Sequence, residues 1–270
     1  MKVISQSVVK ANNDVFEGGN VRKNEDAIGV TESKLTVADG AGGVGILADL
    51  WANEIVNQMP DTPFENSKSV SDWIETFWEN FYTTNLSKLE GDHWKVSKFD
   101  SEGSYATFSA LWQHTDKTFT YQSYGDTALF IYNSETETLT IQKNLKSINS
   151  FSVNPPLLNW QTEGIDSDDF YTQKITLNQN ETLIIATDGI AMYIWGAYYA
   201  FKQGAETIKE AKMQKVVDYF NTNTIGNFTD FITELKTNLS SNIKFADFTK
   251  HCFTHKALPN DDYTLAFVEL

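Results

Sequence analysis

Two acidic residues near the start of the chain flank a pair of short strand-like runs. Asp26 comes directly before the apolar run Ala27–Val30, and Asp39 comes directly after the run Lys34–Ala38. A turn of only three residues separates the runs, so the two strands are expected to pair antiparallel. Antiparallel pairing places the start of one strand beside the end of the next. The sequence therefore predicts that Asp26 and Asp39 lie at the same end of a hairpin.

The same relation recurs in the second half of the chain. Asp188 follows the apolar run Leu183–Ala186 after one threonine, and Asp261 stands just before the run Tyr263–Val268. If these two strands also pair antiparallel, their carboxylates meet at one end. Two such strand pairs could together form one acidic pocket.

Grouped carboxylates repel one another unless protons or cations intervene. Oxygen ligands without neighbouring cysteine or histidine favour hard cations, Mg²⁺ or Mn²⁺, over zinc. The loop Gly40–Gly43 adds backbone carbonyls that can approach a metal closely. Two such ions would acidify a shared water and neutralise charge on a phosphate, which predicts a phosphoester hydrolase without a protein nucleophile. Each Asp-Gly pair alone is also an ordinary turn, so the joint order of these fragments carries the prediction.

Arg22 is the only arginine in the chain and stands three residues before Glu25. Its planar guanidinium can bind a phosphate through two parallel hydrogen bonds, which a lysine cannot do. The alternative is a surface or structural ion pair.

Composition narrows the class of protein. The 270 residues carry a formal net charge of −15, which opposes binding to nucleic acid or to anionic membranes. A single cysteine, Cys252, excludes an internal disulfide. The first residues lack a signal-peptide core, and the most apolar later run, Gly189–Phe201, is too short to span a bilayer. We expect a soluble, cytoplasmic protein.

Strand-like runs dominate the first half of the chain, and helical periodicity appears at Gly45–Gln58, at Val70–Lys88 and over much of the stretch after Ala186. Sequential hairpins with helices grouped between them predict an α+β fold built on antiparallel sheet. The segment Phe151–Gln173 is predicted to be a long surface loop. No linker divides the chain, so a single catalytic domain over residues 1–270 is expected.

Six short motifs occur in order along nearly the whole chain: Asn24–Ala27, Val37–Gly43, Gly103–Ala106, Tyr124–Ala128, Ile185–Ile190 and Asp261–Leu265. Together they resemble the motifs of the type 2C metal-dependent serine/threonine protein phosphatases (the PPM superfamily) in their bacterial form. The resemblance implies a four-layer αββα sandwich of two antiparallel sheets flanked by helices. It also implies hydrolysis of phosphoserine or phosphothreonine on proteins, with a phosphorylated protein as substrate and a cognate kinase as a further partner.

The resemblance further implies a role for each acidic residue. Asp39 would bridge two ions of Mn²⁺ or Mg²⁺, with the Gly40 carbonyl on one of them, while Asp188 and Asp261 would complete the other. Asp126, together with Asp188, would hold a weaker third ion.

Three further residues complete the implied catalytic set. Glu25 would act on the metal through bound water, Asp26 would orient a water or a ligand, and Arg22 would hold the substrate phosphate. Arg22 stands one residue closer to Glu25 than is usual in the family.

Two other departures from the family pattern concern charge and length. Asp262 replaces the usual asparagine and would either tighten metal binding or pair with a lysine. The stretch at about 202–249 suggests a helical insertion, and the stretch at about 147–173 takes the place of the flap.

Other residues offer alternative sites. His251 and His255 could hold zinc on a helix, although a solvated helix end explains them as well. Cys252 lacks an arginine-rich phosphate loop, and Ser104 lacks a nucleophile elbow. The tryptophans could form a stacking platform for a ligand or belong to the core. These are Trp73, Trp78, Trp94 and Trp112. A catalytically silent scaffold that binds a phosphoprotein, or an enzyme for small phosphoesters, remain alternative functions.

Overall fold

The computed structural model describes residues 1–11, 23–142, 145, 147–152, 154–161, 164–202, 211–223 and 226–270. Within these residues the strands in chain order are β1 (Lys2–Val8), β2 (Asp26–Val30), β3 (Lys34–Gly40), β4 (Ala106–Gln113), β5 (Thr118–Tyr124), β6 (Ala128–Asn133), β7 (Thr138–Ile141), β8 (Phe170–Thr176), β9 (Glu181–Ala186) and β10 (Tyr263–Glu269). The helices are α1 (Ala48–Gln58), α2 (Ser67–Glu75), α3 (Trp78–Leu86), α4 (His93–Glu102), α5 (Asp188–Phe201), α6 (Ala211–Thr222), α7 (Phe228–Asn238) and α8 (Asn242–Thr254). Short 3₁₀ turns cover Ser87–Leu89 and Ile148–Ser152.

The chain divides into two compact units. The terminal unit comprises Met1–Asn24, Asp126–Asn154 and Leu177–Leu270, and the central unit comprises Glu25–Gly125 and Pro155–Thr176. The single domain expected over residues 1–270 stays a prediction.

The terminal unit contains an antiparallel sheet with the strand order β1-β10-β9-β6-β7. Helix α5 contacts β9 and β10, and α8 contacts β1. The core between them includes Phe130, Ile184 and Phe267 from the strands and Ile190 and Ile194 from α5, none with any exposed surface. Because α5 is apolar on most of its surface, it also packs against α6.

The central unit contains a second antiparallel sheet with the order β2-β3-β4-β5-β8, and α1 lies against β2, β3 and β4. Its core is aromatic. The fully buried Trp51 has its ring centroid 4.9 Å from that of Phe81 and 4.9 Å from that of Trp160. The Trp51 indole N–H donates to the Leu158 carbonyl at 3.1 Å, which ties the segment before β8 to α1.

The α+β class, with two antiparallel sheets and helices on each, is therefore confirmed. The surface loop predicted for Phe151–Gln173 is wrong in part, because β8 begins at Phe170 and pairs with β5. Leu158 also forms a bridge to Ala106, and Trp160 is only 9% exposed.

The helical prediction needs two corrections in the central unit. The single helix expected over Val70–Lys88 is two helices, α2 and α3, which break at Thr76 and Phe77. Helix α4 was not predicted at all.

In the described part of the chain, no helix combines the length and apolarity needed to cross a membrane.

Candidate metal site

The hairpin of the central unit brings its carboxylates together as the sequence predicts. Asp26 and Asp39 are directly opposite each other in the β2–β3 register. Side chains at opposed positions lie on the same face of a sheet with their Cβ atoms roughly 5 Å apart. Asp26 is 5% exposed, whereas Asp39 is half-buried. Both carboxylates therefore stand at one end of the hairpin.

The glycine-rich loop after Asp39 holds Glu25 in place. The Gly40 N–H donates to the Glu25 carbonyl at 3.1 Å. A Cβ built on Gly40 would lie 2.6 Å from that same carbonyl and 2.8 Å from the Ala48 carbonyl, so only glycine fits there. A Cβ built on Gly42 would lie 2.1 Å from the Glu25 Oε1 atom. The carboxylate of Glu25 thus rests directly on the Gly42 backbone.

In the terminal unit, the ends of β9 and β10 bring a second set of carboxylates together. Leu265 is opposite Ala186, which confirms the predicted antiparallel pairing. Beyond that pair, the Thr187 N–H donates to the Thr264 carbonyl at 3.1 Å, and the Thr264 N–H donates to Thr187 Oγ1 at 3.0 Å. These two hydrogen bonds fix the chain where Asp188 begins α5.

Asp261 lies beside the start of that helix. A Cβ built on Gly189 would be 3.3 Å from the Asp261 Cβ, so the two backbone segments approach closely. Asp188 occupies the first turn of α5, where the positive end of the helix dipole favours a negative charge.

Asp126 joins this terminal group. Burial raises the pKa of its carboxyl to about 6, and the nearby Asp261 carboxylate adds to the increase. Asp126 is 8% exposed. A buried carboxylate beside another carboxylate is costly to ionise, and a divalent cation between them would remove that cost. The terminal group therefore has the charge and the oxygen donors that a hard cation requires.

The donor chemistry fits Mg²⁺ or Mn²⁺ in both units, because each group offers carboxylate oxygens. No three Asp, Glu, His or Cys side chains form a ready-made metal cage anywhere in the described ranges. Arg22 lies outside the described residues, so its role as a phosphate ligand stays a prediction.

Asp262 pairs with a lysine, which is one of the two outcomes considered for it. Its Oδ1 atom accepts a hydrogen bond from the Lys10 backbone N–H at 2.7 Å, and its Oδ2 atom lies 3.9 Å from the Lys10 Nζ atom. Both side chains are almost fully buried. Sequence reasoning did not find Lys10, because its only local sign is a polar residue at the end of a strand pattern.

No protein-family model matches this sequence, and no curated protein matches it. Solved structures, in contrast, align over almost the whole chain. The serine/threonine phosphatase Stp1 from Staphylococcus aureus is 13% identical with a TM-score of 0.53, and the alignment covers 100% of this chain and 95% of Stp1. A bacterial serine phosphatase is 12% identical with a TM-score of 0.52, covering 99% of this chain and 96% of that one. The serine/threonine phosphatase PstP/Ppp from Mycobacterium tuberculosis is 11% identical with a TM-score of 0.51, covering 100% and 98%.

The chain has the fold of bacterial serine/threonine phosphatases. The resemblance predicted from the six motifs is thereby confirmed at the level of the fold. Within this phosphatase fold, the two carboxylate groups occupy the strand ends at which the motifs placed them.

The other candidate sites do not gain support within the phosphatase fold. Burial raises the pKa of the Cys252 thiol to about 11, so it is not an activated nucleophile. The Ser104 hydroxyl is buried and donates to the Ile46 carbonyl. His255 and His251 are exposed near the end of α8, where the Nδ1 atom of His255 lies 2.8 Å from the His251 carbonyl oxygen. For these two histidines, the arrangement therefore favours a solvated helix end over a zinc site.

Proposed function

We propose that this protein is a metal-dependent phosphatase that hydrolyses phosphoserine or phosphothreonine on proteins. The observation that carries the proposal is the pairing of carboxylates at strand ends in both units of a phosphatase fold. Asp26 lies opposite Asp39 across β2 and β3. Asp261, just before β10, lies beside the start of α5, where Asp188 stands. Three structural neighbours are themselves serine or serine/threonine phosphatases by name.

The proposed ligands follow from these groups. In the central unit, Asp39 and the Gly40 carbonyl would hold Mn²⁺ or Mg²⁺. In the terminal unit, Asp188 and Asp261 would hold one ion, and Asp126 with Asp188 would hold another. Bound cations would supply acidity to a water molecule and positive charge against the phosphate.

Three residues of the chain would orient the water molecule and bind the phosphate. Glu25, which lies against Gly42, would orient a water molecule by hydrogen bonding. Asp26, at the start of β2, would help to orient the same water molecule. Arg22 would hold the phosphate with its planar fork. The substrate would be a phosphorylated protein, and its kinase would be a further partner in a cytoplasmic signalling pair.

The test is hydrolysis of p-nitrophenyl phosphate and of a phosphothreonine peptide by the purified chain. We expect activity only with Mn²⁺ or Mg²⁺, and we expect Asp39→Asn and Asp188→Asn to abolish it. Asp116→Asn, in an exposed turn of the central unit, is the matched control and should retain full activity. Robust activity in excess chelator would refute the metal mechanism.

Two further measurements separate the alternative functions. A silent scaffold would show no Mn²⁺ binding by calorimetry at millimolar metal. An enzyme for small phosphoesters would bind Mn²⁺ but would hydrolyse metabolite phosphates in preference to the phosphopeptide.

A further inference from the structure

A cleft of about 640 Å³ opens on the central unit, and none of the carboxylates assigned to metal lines it. Its walls come from α3, from the end of α4 and from the segment before β8. Its lining includes Trp78, Glu79, Tyr82, Asp100, Trp160 and Gln161.

Two indole rings face this cleft in nearly parallel planes. The ring centroids of Trp78 and Trp160 are 6.5 Å apart, and their planes differ by only 6°. Trp160 packs against Trp51 and Phe99, whose ring centroids lie 4.9 Å and 5.5 Å from its own. The Trp78 indole N–H donates to Glu75 Oε2 at 2.8 Å, which orients the outer ring. The aromatic faces are therefore positioned before any ligand arrives.

The polar side of the cleft is acidic. Asp100 accepts a hydrogen bond from the Tyr82 hydroxyl, and its backbone carbonyl accepts one from the Gln161 side-chain amide at 2.7 Å. Glu79 adds a second carboxylate. Among the described residues that line the cleft, there is no lysine, arginine or histidine. The chain as a whole carries a net charge of −15, which also favours a cationic partner.

We propose that this cleft binds the arginine side chain of a partner peptide. A guanidinium stacks on aromatic faces, is more weakly hydrated than an ammonium group, and can form two hydrogen bonds with a carboxylate. The half-buried Trp78 supplies the aromatic face, the buried Trp160 supports its ring, and Asp100 supplies the carboxylate. Stacking of this kind does not require metal or phosphate, so the inference stands apart from the proposed phosphatase activity.

The experiment uses the full chain in chelator, with an unphosphorylated Gly/Ser peptide that contains one arginine. The matched peptide replaces that arginine with citrulline, which has nearly the same shape and no charge. We expect the arginine peptide to bind at least about tenfold more tightly than the citrulline peptide. In an NMR titration, the indole N–H signals of Trp78 and Trp160 should shift, whereas that of Trp94, which is 65% exposed outside the cleft, should not.

Variants test the named contacts. Asp100→Asn and Trp78→Ala should each weaken binding of the arginine peptide about tenfold, and Trp94→Ala should leave it unchanged. Thermal unfolding of each variant checks the fold, and Glu79→Gln, at an exposed position, gives a second acidic variant that should also weaken binding. Equal binding of the arginine and citrulline peptides would overturn the proposal. Equal binding of a lysine peptide would overturn the choice of arginine.

Discussion

Two adjacent glycines offer a sharp test of whether the loop after β3 positions Glu25 for the proposed metal-dependent reaction. A Cβ built on Gly42 would lie 2.1 Å from Oε1 and 2.6 Å from the side-chain carboxyl carbon of Glu25. A Cβ built on Gly43 meets no atom within 4 Å. Neither glycine has a positive φ, so alanine introduces no backbone strain at either position. Gly42→Ala and Gly43→Ala therefore differ only in what the added methyl group touches.

The expected size of the effect follows from that contact. Carbon and oxygen atoms in ordinary contact are separated by about 3.2 to 3.5 Å, so the Glu25 carboxylate must retreat by roughly 1 Å. Because Glu25 is a flexible side chain, this movement costs little stability. A misplacement of about 1 Å near reacting groups can lower a rate by about 100-fold. We therefore expect Gly42→Ala to lose roughly 10- to 100-fold in metal-dependent rate at nearly unchanged stability.

The assay measures Mn²⁺-dependent hydrolysis of a phosphothreonine peptide and the midpoint of urea unfolding for both variants. Gly43→Ala should match the parent protein in both measurements. If the two variants hydrolyse the peptide at the same rate, the position of the Glu25 carboxylate is irrelevant to the reaction and its assigned role is wrong.

Three further predictions concern buried ionisable groups. Since the pKa of Asp126 is raised to about 6 from an ordinary value near 3.8, ionisation destabilises the folded state, and the metal-free protein should lose stability as the pH rises from about 4 to about 6. Asp126→Asn should accordingly stabilise the metal-free protein at pH 7.5 by about 1 to 3 kcal/mol and by almost nothing at pH 4, as measured by urea unfolding. Lys10→Met should lower the free energy of unfolding by about 3 to 5 kcal/mol because it removes a buried positive charge from beside the Asp262 carboxylate, and adding Asp262→Asn should recover part of that loss. Strict additivity in this double-mutant cycle would contradict a direct interaction. Cys252, whose pKa is raised to about 11, should react with iodoacetamide at pH 8 at least about 100-fold more slowly in the folded protein than after unfolding, and equal rates would show an accessible thiol.

Most strands could be predicted because alternating side chains mark them locally. The exception is β8, in which most residues are partly or fully exposed and only Ile175 is buried. It therefore lacks the apolar pattern of an inner strand. Helix α4 was missed for a related reason, since Phe99 is its only buried residue. Strands and helices that bury few side chains are stabilised mainly by the elements that they pack against, so their own sequence shows little of the pattern.

The break between α2 and α3 also depends on the tertiary structure. The apolar residues of Val70–Lys88 follow a helical period, but α2 ends with Thr76 as its C-cap. Phe77, with a φ of −138°, is the N-cap of α3. Its ring packs against Trp51 with centroids 5.5 Å apart. That packing partner lies far away in the sequence, so no local pattern could reveal it.

The sequence by itself predicted the strand pairing and the fold. Acidic residues at the ends of strand-like runs predicted the hairpin partners, and the resemblance of six motifs to a known family predicted the phosphatase fold. Only the tertiary structure decided which distant charged groups meet: Asp126 with Asp261, and Lys10 with Asp262. The physical reason is that hairpin pairing depends on neighbouring residues, whereas contacts between residues more than a hundred positions apart depend on how the whole core packs.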